Sequence, residues 1–227
     1  MQTVTYNGVS VATKGGIVLE VSPPVRAARR IEPVVVPGRS GVLHIDDGSY
    51  APTKKTVRIG VSAPDSIDGI CAWCARAGVL QTSYEPGVAY KAVQAAEIEW
   101  ERISRRLYEA KIVFECEPYR YAYPAASDIV LTAPGNVTNP GTAPAAPLYV
   151  VEGGGDITLT VGGQTVALTG ITTGITLDSD MGMAYTGTTN MSAHMSGDFP
   201  ALLPGVNAIS WVGSVTSVTI TPRWRYL

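Results

Sequence analysis

At 227 residues the chain can form one large β domain or two small ones, and either could bury a substantial core. Charged residues make up only 16% of it and the formal net charge is -2, which argues against a protein whose affinity rests on phosphate contacts. Mean hydropathy is slightly positive, yet no apolar run approaches the ~20 residues that a membrane helix needs. The opening MQTVTYNGVS lacks the basic-then-apolar pattern of a secretory signal, and none is expected. An odd count of 3 cysteines does not suggest a disulfide framework, so folding in a reducing cytoplasm is expected.

The 24 glycines and 16 prolines predict many turns, and the first comes early. Residues 3–6 and 9–11 read as two strands joined at Asn7-Gly8, a pair that tolerates the positive φ of a tight turn. Residues 17–21 form another short strand. Residues 25–36 carry Arg26, Arg29 and Arg30 and run into the turn cluster Pro37-Gly38-Arg39-Ser40-Gly41. From Lys55 to Ser62 the pattern alternates, with Val57, Ile59 and Val61 on one face. One helix is expected: Ser62 caps it, Pro64 and Asp65 suit its first turn, and Gly78 ends it. Ile67, Ile70, Cys71, Cys74 and Ala75 make its apolar stripe. A turn at Glu85-Pro86-Gly87 precedes a strand over 89–101. Next, Tyr108, Ala110, Ile112, Phe114 and Cys116 alternate with Glu109, Lys111, Glu115 and Glu117, giving one core face and one wet face.

Charge placement is more informative than its total. Of the 17 basic residues all but Arg223 and Arg225 lie at or before Arg120, and none falls between Tyr121 and Pro222. The stretch APGNVTNPGTAPAAP, residues 133–147, reads as a linker, so two domains are expected, 1–138 and 139–227. Beyond it, short strands at 149–151, 157–161, 166–168 and 175–177 are spaced as in a β-sandwich. The end of the chain reads as a hairpin. Ile209 and Trp211 lie in its first strand, Gly213-Ser214 in the turn, and Val218, Ile220, Pro222 and Trp224 on one face of the second.

Little catalytic chemistry is visible. Cys71-Ala72-Trp73-Cys74 has redox spacing, but both thiols fall inside the expected helix on its apolar stripe rather than at its N-terminus, which favours buried filler. Zinc held by Cys71, Cys74, Cys116 and His44 lacks a second ligand pair of suitable spacing. Asp46-Asp47 and Asp178-Ser179-Asp180 lack the further spaced oxygen ligands of a calcium loop. No G-x-S-x-G motif supports a hydrolase triad, so no enzyme, cofactor or metal is expected. Four of the 5 methionines (Met181, Met183, Met191 and Met195) crowd one loop, which suits an adaptable partner-facing surface or a loop folded over its own sandwich.

Taken in order, YNGVS, PGRSG, the single helix followed by EPGVAYKA, LYEAKIVFECEPYRY, NPGTAPAAPLYV, ITLDS and FPALLPGVNAI…VTITPRWRYL resemble the distal tail protein (Dit) family of long-tailed (siphovirus) phages. The resemblance implies a mainly β fold: an N-terminal tail-tube-like β-sandwich or split barrel with one helix, and a C-terminal galectin-like β-sandwich. It also implies a hexameric ring at the virion tail tip, assembled in the host cytoplasm. That ring would join the tail tube protein to a tail-associated hub or fibre protein, with the tape measure or a receptor-binding protein as further partners. Neither a membrane nor a sequence-specific nucleic acid is among them. Within such a ring two readings of Arg26, Arg29 and Arg30 stand side by side: they meet Glu109, Glu115 and Glu117 of an adjacent copy, or they are solvated charges on an exposed strand. A lectin-like carbohydrate-binding module is the alternative, although the second domain offers few aromatic platforms: Tyr149, Tyr185, Phe199 and Trp211.

Overall fold

A computed structural model describes residues 2–62 and 64–227. The chain divides into two compact units, Met1–Arg120 together with Leu227, and Tyr121–Tyr226. The mainly β expectation holds, and α1 (Asp65–Cys74) is the α-helix of the described residues.

The first unit contains β1 (Val4–Tyr6), β2 (Val9–Ser10), β3 (Gly16–Val21), β4 (Arg29–Val35), β5 (Val42–Tyr50), β6 (Thr53–Val61), β7 (Gly78–Thr82), β8 (Val88–Gln94), β9 (Trp100–Arg102) and most of β10 (Tyr108–Ala122). Its main sheet runs β2-β1-β7-β8-β10-β6-β3, with β9 also paired to β10, while β4 and β5 form a separate two-stranded sheet. The Asn7-Gly8 turn is present, with φ of 52° and 75°. Val57, Ile59 and Val61 on β6 and Ala110, Ile112, Phe114 and Cys116 on β10 face inward, as their alternation requires. Tyr6, Trp73 and Phe114 form an aromatic knot with ring centroids 5.1–6.3 Å apart. Trp73 Nε1 donates to the Val9 carbonyl at 2.8 Å, which ties the helix to the first hairpin.

Details of the helix differ from expectation. No side chain caps it, and its N-terminal boundary residue is Pro64 rather than Ser62. Trp73 is buried and Ala75 exposed, so the apolar stripe is rotated towards Ile70, Trp73 and Cys74. The strand expected over 89–101 breaks after Gln94 and resumes at Trp100.

The second unit holds β11 (Ile129–Leu131), β12 (Gly135–Asn139), β13 (Leu148–Val161), β14 (Gln164–Ile171), β15 (Ile175–Asp178), β16 (Met183–Thr186), β17 (Thr189–Asn190), β18 (Met195–Ser196), β19 (Gly205–Thr221) and β20 (Arg225–Tyr226). Its sheet runs β11-β19-β13-β15-β16-β17, with β12 also on β19 and β14 bridging β13 and β18. The core gathers Tyr149, Val151, Ile157, Leu159, Val166, Leu168, Ile209, Val218 and Ile220.

Residues 133–147 are not a free linker. Val137, Ala143 and Ala145 are buried, and the Asn139 amide donates to the carbonyls of Ala143 and Leu202 at 3.2 and 2.8 Å. The compositional break at Tyr121 coincides with the division between the units, and the Pro/Gly/Ala-rich stretch lies inside the second one.

The C-terminal hairpin is also read differently in three dimensions. Residues 205–221 form one continuous strand that follows β13 through two register shifts, and Gly213 lies within it rather than in a turn. There the backbones approach so closely that a Cβ on Gly213, at φ 112°, would sit 2.4 Å from the Asp156 carbonyl oxygen. The glycine marks a bulge, not a reversal. Val218, Ile220, Pro222 and Trp224 are buried along one face, as expected. Replacing Gly213 with Ala therefore combines an unfavourable φ with a backbone clash. Urea unfolding should show a loss of about 1–3 kcal/mol, whereas the same change at Gly69, which has open space around its Cβ position and an ordinary helical φ, should be neutral or stabilising.

Candidate functional site

The β4–β5 hairpin of the first unit has little cover. Every residue of β4 is exposed except the half-buried Val34, and every residue of β5 is exposed except the half-buried Ser49 and Tyr50. Exposure reaches 74% at Val35, and Ile31, Val36, Val42, Leu43 and Ile45 are also bare. An isolated two-stranded hairpin is marginal in water, because it has no third layer against which to bury such residues.

The root of this arm is well held, in contrast to its tip. Tyr50 packs edge-on against Tyr119 at 6.1 Å between centroids and lies under the Arg29 guanidinium at 5.7 Å. Arg29 also pairs with Asp46. The Asp46 carboxyl is held below its usual range by the Gly48 amide and by Arg29. Deeper in, Lys55 is only 2% exposed. Its ammonium donates to Glu85 and to the Pro23 carbonyl at 3.2 Å, in the segment that leads to the arm. Glu85 accepts from the Tyr90 hydroxyl at 2.7 Å and lies 3.5 Å from Arg120, which donates to the Leu227 carbonyl at 3.2 Å. Burial would raise the Glu85 carboxyl, but hydrogen bonds from Lys55 and Tyr90 outweigh it and the net shift is downward. Lys55 is in phase with Val57, Ile59 and Val61, so its inward direction was readable from the alternation; the partner waiting there was not.

Beside the root lies an open groove of about 680 Å³ lined by Arg30, Tyr50, Val79, Lys91, Val93, Glu115, Glu117 and neighbouring alanines and prolines. The sequence-derived charges thus separate. Arg30, Glu115 and Glu117 line this one groove of the same chain, with Lys91 3.7 Å from Glu117. Arg29 is engaged with Asp46, and Glu109 accepts from Arg58 at 2.8 Å. Arg26 is exposed in the segment before β4.

The methionines divide likewise. Met191 and Met195 pack against the second core, whereas Met181 is 68% exposed and Met183 is also bare. The turn that presents Met181 is fixed: Asp178 accepts from the amides of Asp180 and Met181 at 3.0 and 3.1 Å, and Arg223 grips the same carboxylate at 2.7 and 2.9 Å. Arg223 first, then those amides, hold the Asp178 carboxyl below its usual range against the effect of burial.

All 3 cysteines are free thiols. Burial pushes Cys74 up to about 11 and Cys116 up to about 12, the opposite of an activated nucleophile. Cys71 and Cys74 lie on α1, Cys116 in the sheet and His44 on the arm opposite Pro33, so the weighed zinc set is not assembled. Of the four aromatic residues weighed for sugar binding, Tyr149 is buried and Tyr185, Phe199 and Trp211 are half-buried.

No protein-family profile matches the chain, and no curated protein sequence does. A solved structure does: the Dit protein (gp 19.1) of SPP1, described as a paradigm of the hub adsorption apparatus in phages that infect Gram-positive bacteria. The similarity covers 100% of both chains at a TM-score of 0.78 and 17% identity. The resemblance read from the sequence motifs is therefore borne out as a shared fold over the whole length.

The Lys55–Glu85 pair lends itself to a direct test. Glu85→Ala leaves a buried ammonium without its counter-ion and should cost about 3–5 kcal/mol by denaturant unfolding, with much of the loss recovered by Lys55→Met in the same chain. Because the Glu85 carboxyl is depressed in the folded state, its contribution is present above the unfolded value of about 4.3. It is lost as pH falls through the lower folded value. The acid limb of the melting temperature should flatten in the double variant.

Proposed function

We propose that this chain is a non-enzymatic structural subunit of a phage tail tip, a distal tail protein whose copies close into a hexameric ring. The ring joins the tail tube protein to the tail-associated hub or fibre protein, and the tape measure or a receptor-binding protein adjoins it. On this reading the first unit is the tail-tube-like ring former, the second a galectin-like sandwich, and the virion tail tip the site of action. The single observation that carries the proposal is the arm: a hairpin with a rigid root and bare apolar strands, on a chain that shares the Dit fold from end to end.

Such an arm is explained if a second copy covers it. Heterologous contacts of this kind close into rings when the rotation between copies closes. Arg26 is the arm-root cation left exposed for an adjacent copy, while Arg30, Glu115 and Glu117 line one groove of the same chain and Arg29 and Glu109 are paired within it. Met181 and Met183 face a tail partner, since Met side chains adapt their packing to different surfaces.

Light scattering and negative-stain microscopy of the purified full chain should give one population of rings of six copies, or of two such rings stacked. Shortening the arm by replacing residues 31–45 with a Gly-Ser turn should leave a folded monomer. A full-length chain that stays monomeric at high concentration would sink the reading.

A further inference from the structure

We infer that the tip of the arm of one copy seats in the groove at the arm root of the next, with Arg39 at the tip meeting Glu115 on the groove wall. This deepens the proposed ring and rests on it. The tip carries Val35, Val36, Val42 and Leu43 around the Pro37–Gly41 turn, all exposed, and its one charge is Arg39. The Arg39 guanidinium makes no hydrogen bond or ion pair among the described residues, and neither does the Glu115 carboxylate. The groove supplies the matching surface: Val79 and Val93, 36% and 44% exposed, with Ala77, Pro52 and Pro118, and a charged rim where the carboxylates Glu115 and Glu117 stand with the cations Arg30 and Lys91. Lys91 already lies 3.7 Å from Glu117, so Glu115 is the carboxylate left for an incoming cation.

Geometry excludes the arm's own groove. That groove is walled by Arg30 and Tyr50, which are the root of the hairpin itself. Seven residues of β4 at about 3.4 Å each carry the tip roughly 20 Å away. Plug and socket therefore sit at opposite ends of one extended hairpin, and the tip seats in the socket of another molecule. A contact built this way is head-to-tail by construction, because the surface offered differs from the surface accepted. It also sets a charge-poor, apolar tip opposite an apolar floor with a charged rim, the usual core-and-rim division of an interface.

The test uses two single charge reversals, Arg39→Glu and Glu115→Arg, both at exposed positions where folding is retained by circular dichroism. Each alone should weaken assembly about tenfold or more, read as the concentration at which rings dissociate. Mixed in equal amounts, the two variants should assemble again. In an alternating ring of six every tip then meets a groove of opposite charge. If each reversal assembles like the parent chain while the arm-shortened chain does not, the arm acts through a different surface and the tip-in-groove contact is overturned, with the ring intact. If the reversals fail alone and also fail when mixed, the pairing is overturned. If the parent chain itself is monomeric, the ring reading falls and this contact with it.

Discussion

A two-stranded β-hairpin has two faces and, on its own, nothing to lay them against. That constraint organises the arm: β4 and β5 pair with each other and, among the described residues, with no other strand, while nearly every side chain they carry is left in water. Apolar exposure of this kind costs a free chain stability and solubility unless another surface removes it from water. The first unit answers with rigidity at the root. Tyr50, Tyr119, Arg29 and Asp46 fix the base of the hairpin, and Lys55 reaches from the core to the backbone of the segment that leads to it. A buried ion pair is weak evidence for stability, since an apolar pair of the same shape often does as well. Lys55 and Glu85 make better sense as positioning groups: their hydrogen bonds demand one placement of the 22–23 backbone, where an apolar contact would accept several.

The second unit applies a different economy. It carries no lysine or arginine before Arg223, and its order comes from backbone registry, buried aliphatics and tight glycine approaches. Polar side chains act there mainly as local splints. Asn139 closes the turn around Gly141, and Asp178 with Arg223 fixes the turn that displays Met181. A display of this kind loses little further entropy when a partner covers it.

Much of this fold was legible in the residues, and the failures share a cause. Period-two alternation located β6 and β10 and the inward faces of both, whereas the boundary was read at 138/139 in the Pro/Gly/Ala-rich stretch and the compact units divide at Tyr121, where the basic residues stop. Local composition misled wherever tertiary packing used glycine, proline or a cation for a non-local purpose. Gly213 resembles a turn because glycine is common in turns, yet it is required by the Asp156 backbone of a neighbouring strand. Residues 133–147 resemble a linker because they are rich in Pro, Gly and Ala, yet small side chains also suit a segment packed into a core. Of the candidate contact residues, Arg30, Glu115 and Glu117 come to one groove, but no pattern in the sequence pairs a β4 residue with the outer face of β10. The arm itself was visible only as a charged stretch without alternation; its bareness on both faces is a three-dimensional property.

Stabilisation of the arm by a second copy of the chain is read most directly by amide hydrogen exchange over residues 31–45. Backbone hydrogen bonds in a bare hairpin open readily, whereas those in a covered one open only with the assembly. Protection of these amides should rise with protein concentration, in step with assembly and ahead of any change in the sheet containing β6 and β10. Exchange at the same fast rate from dilute to concentrated protein would contradict it.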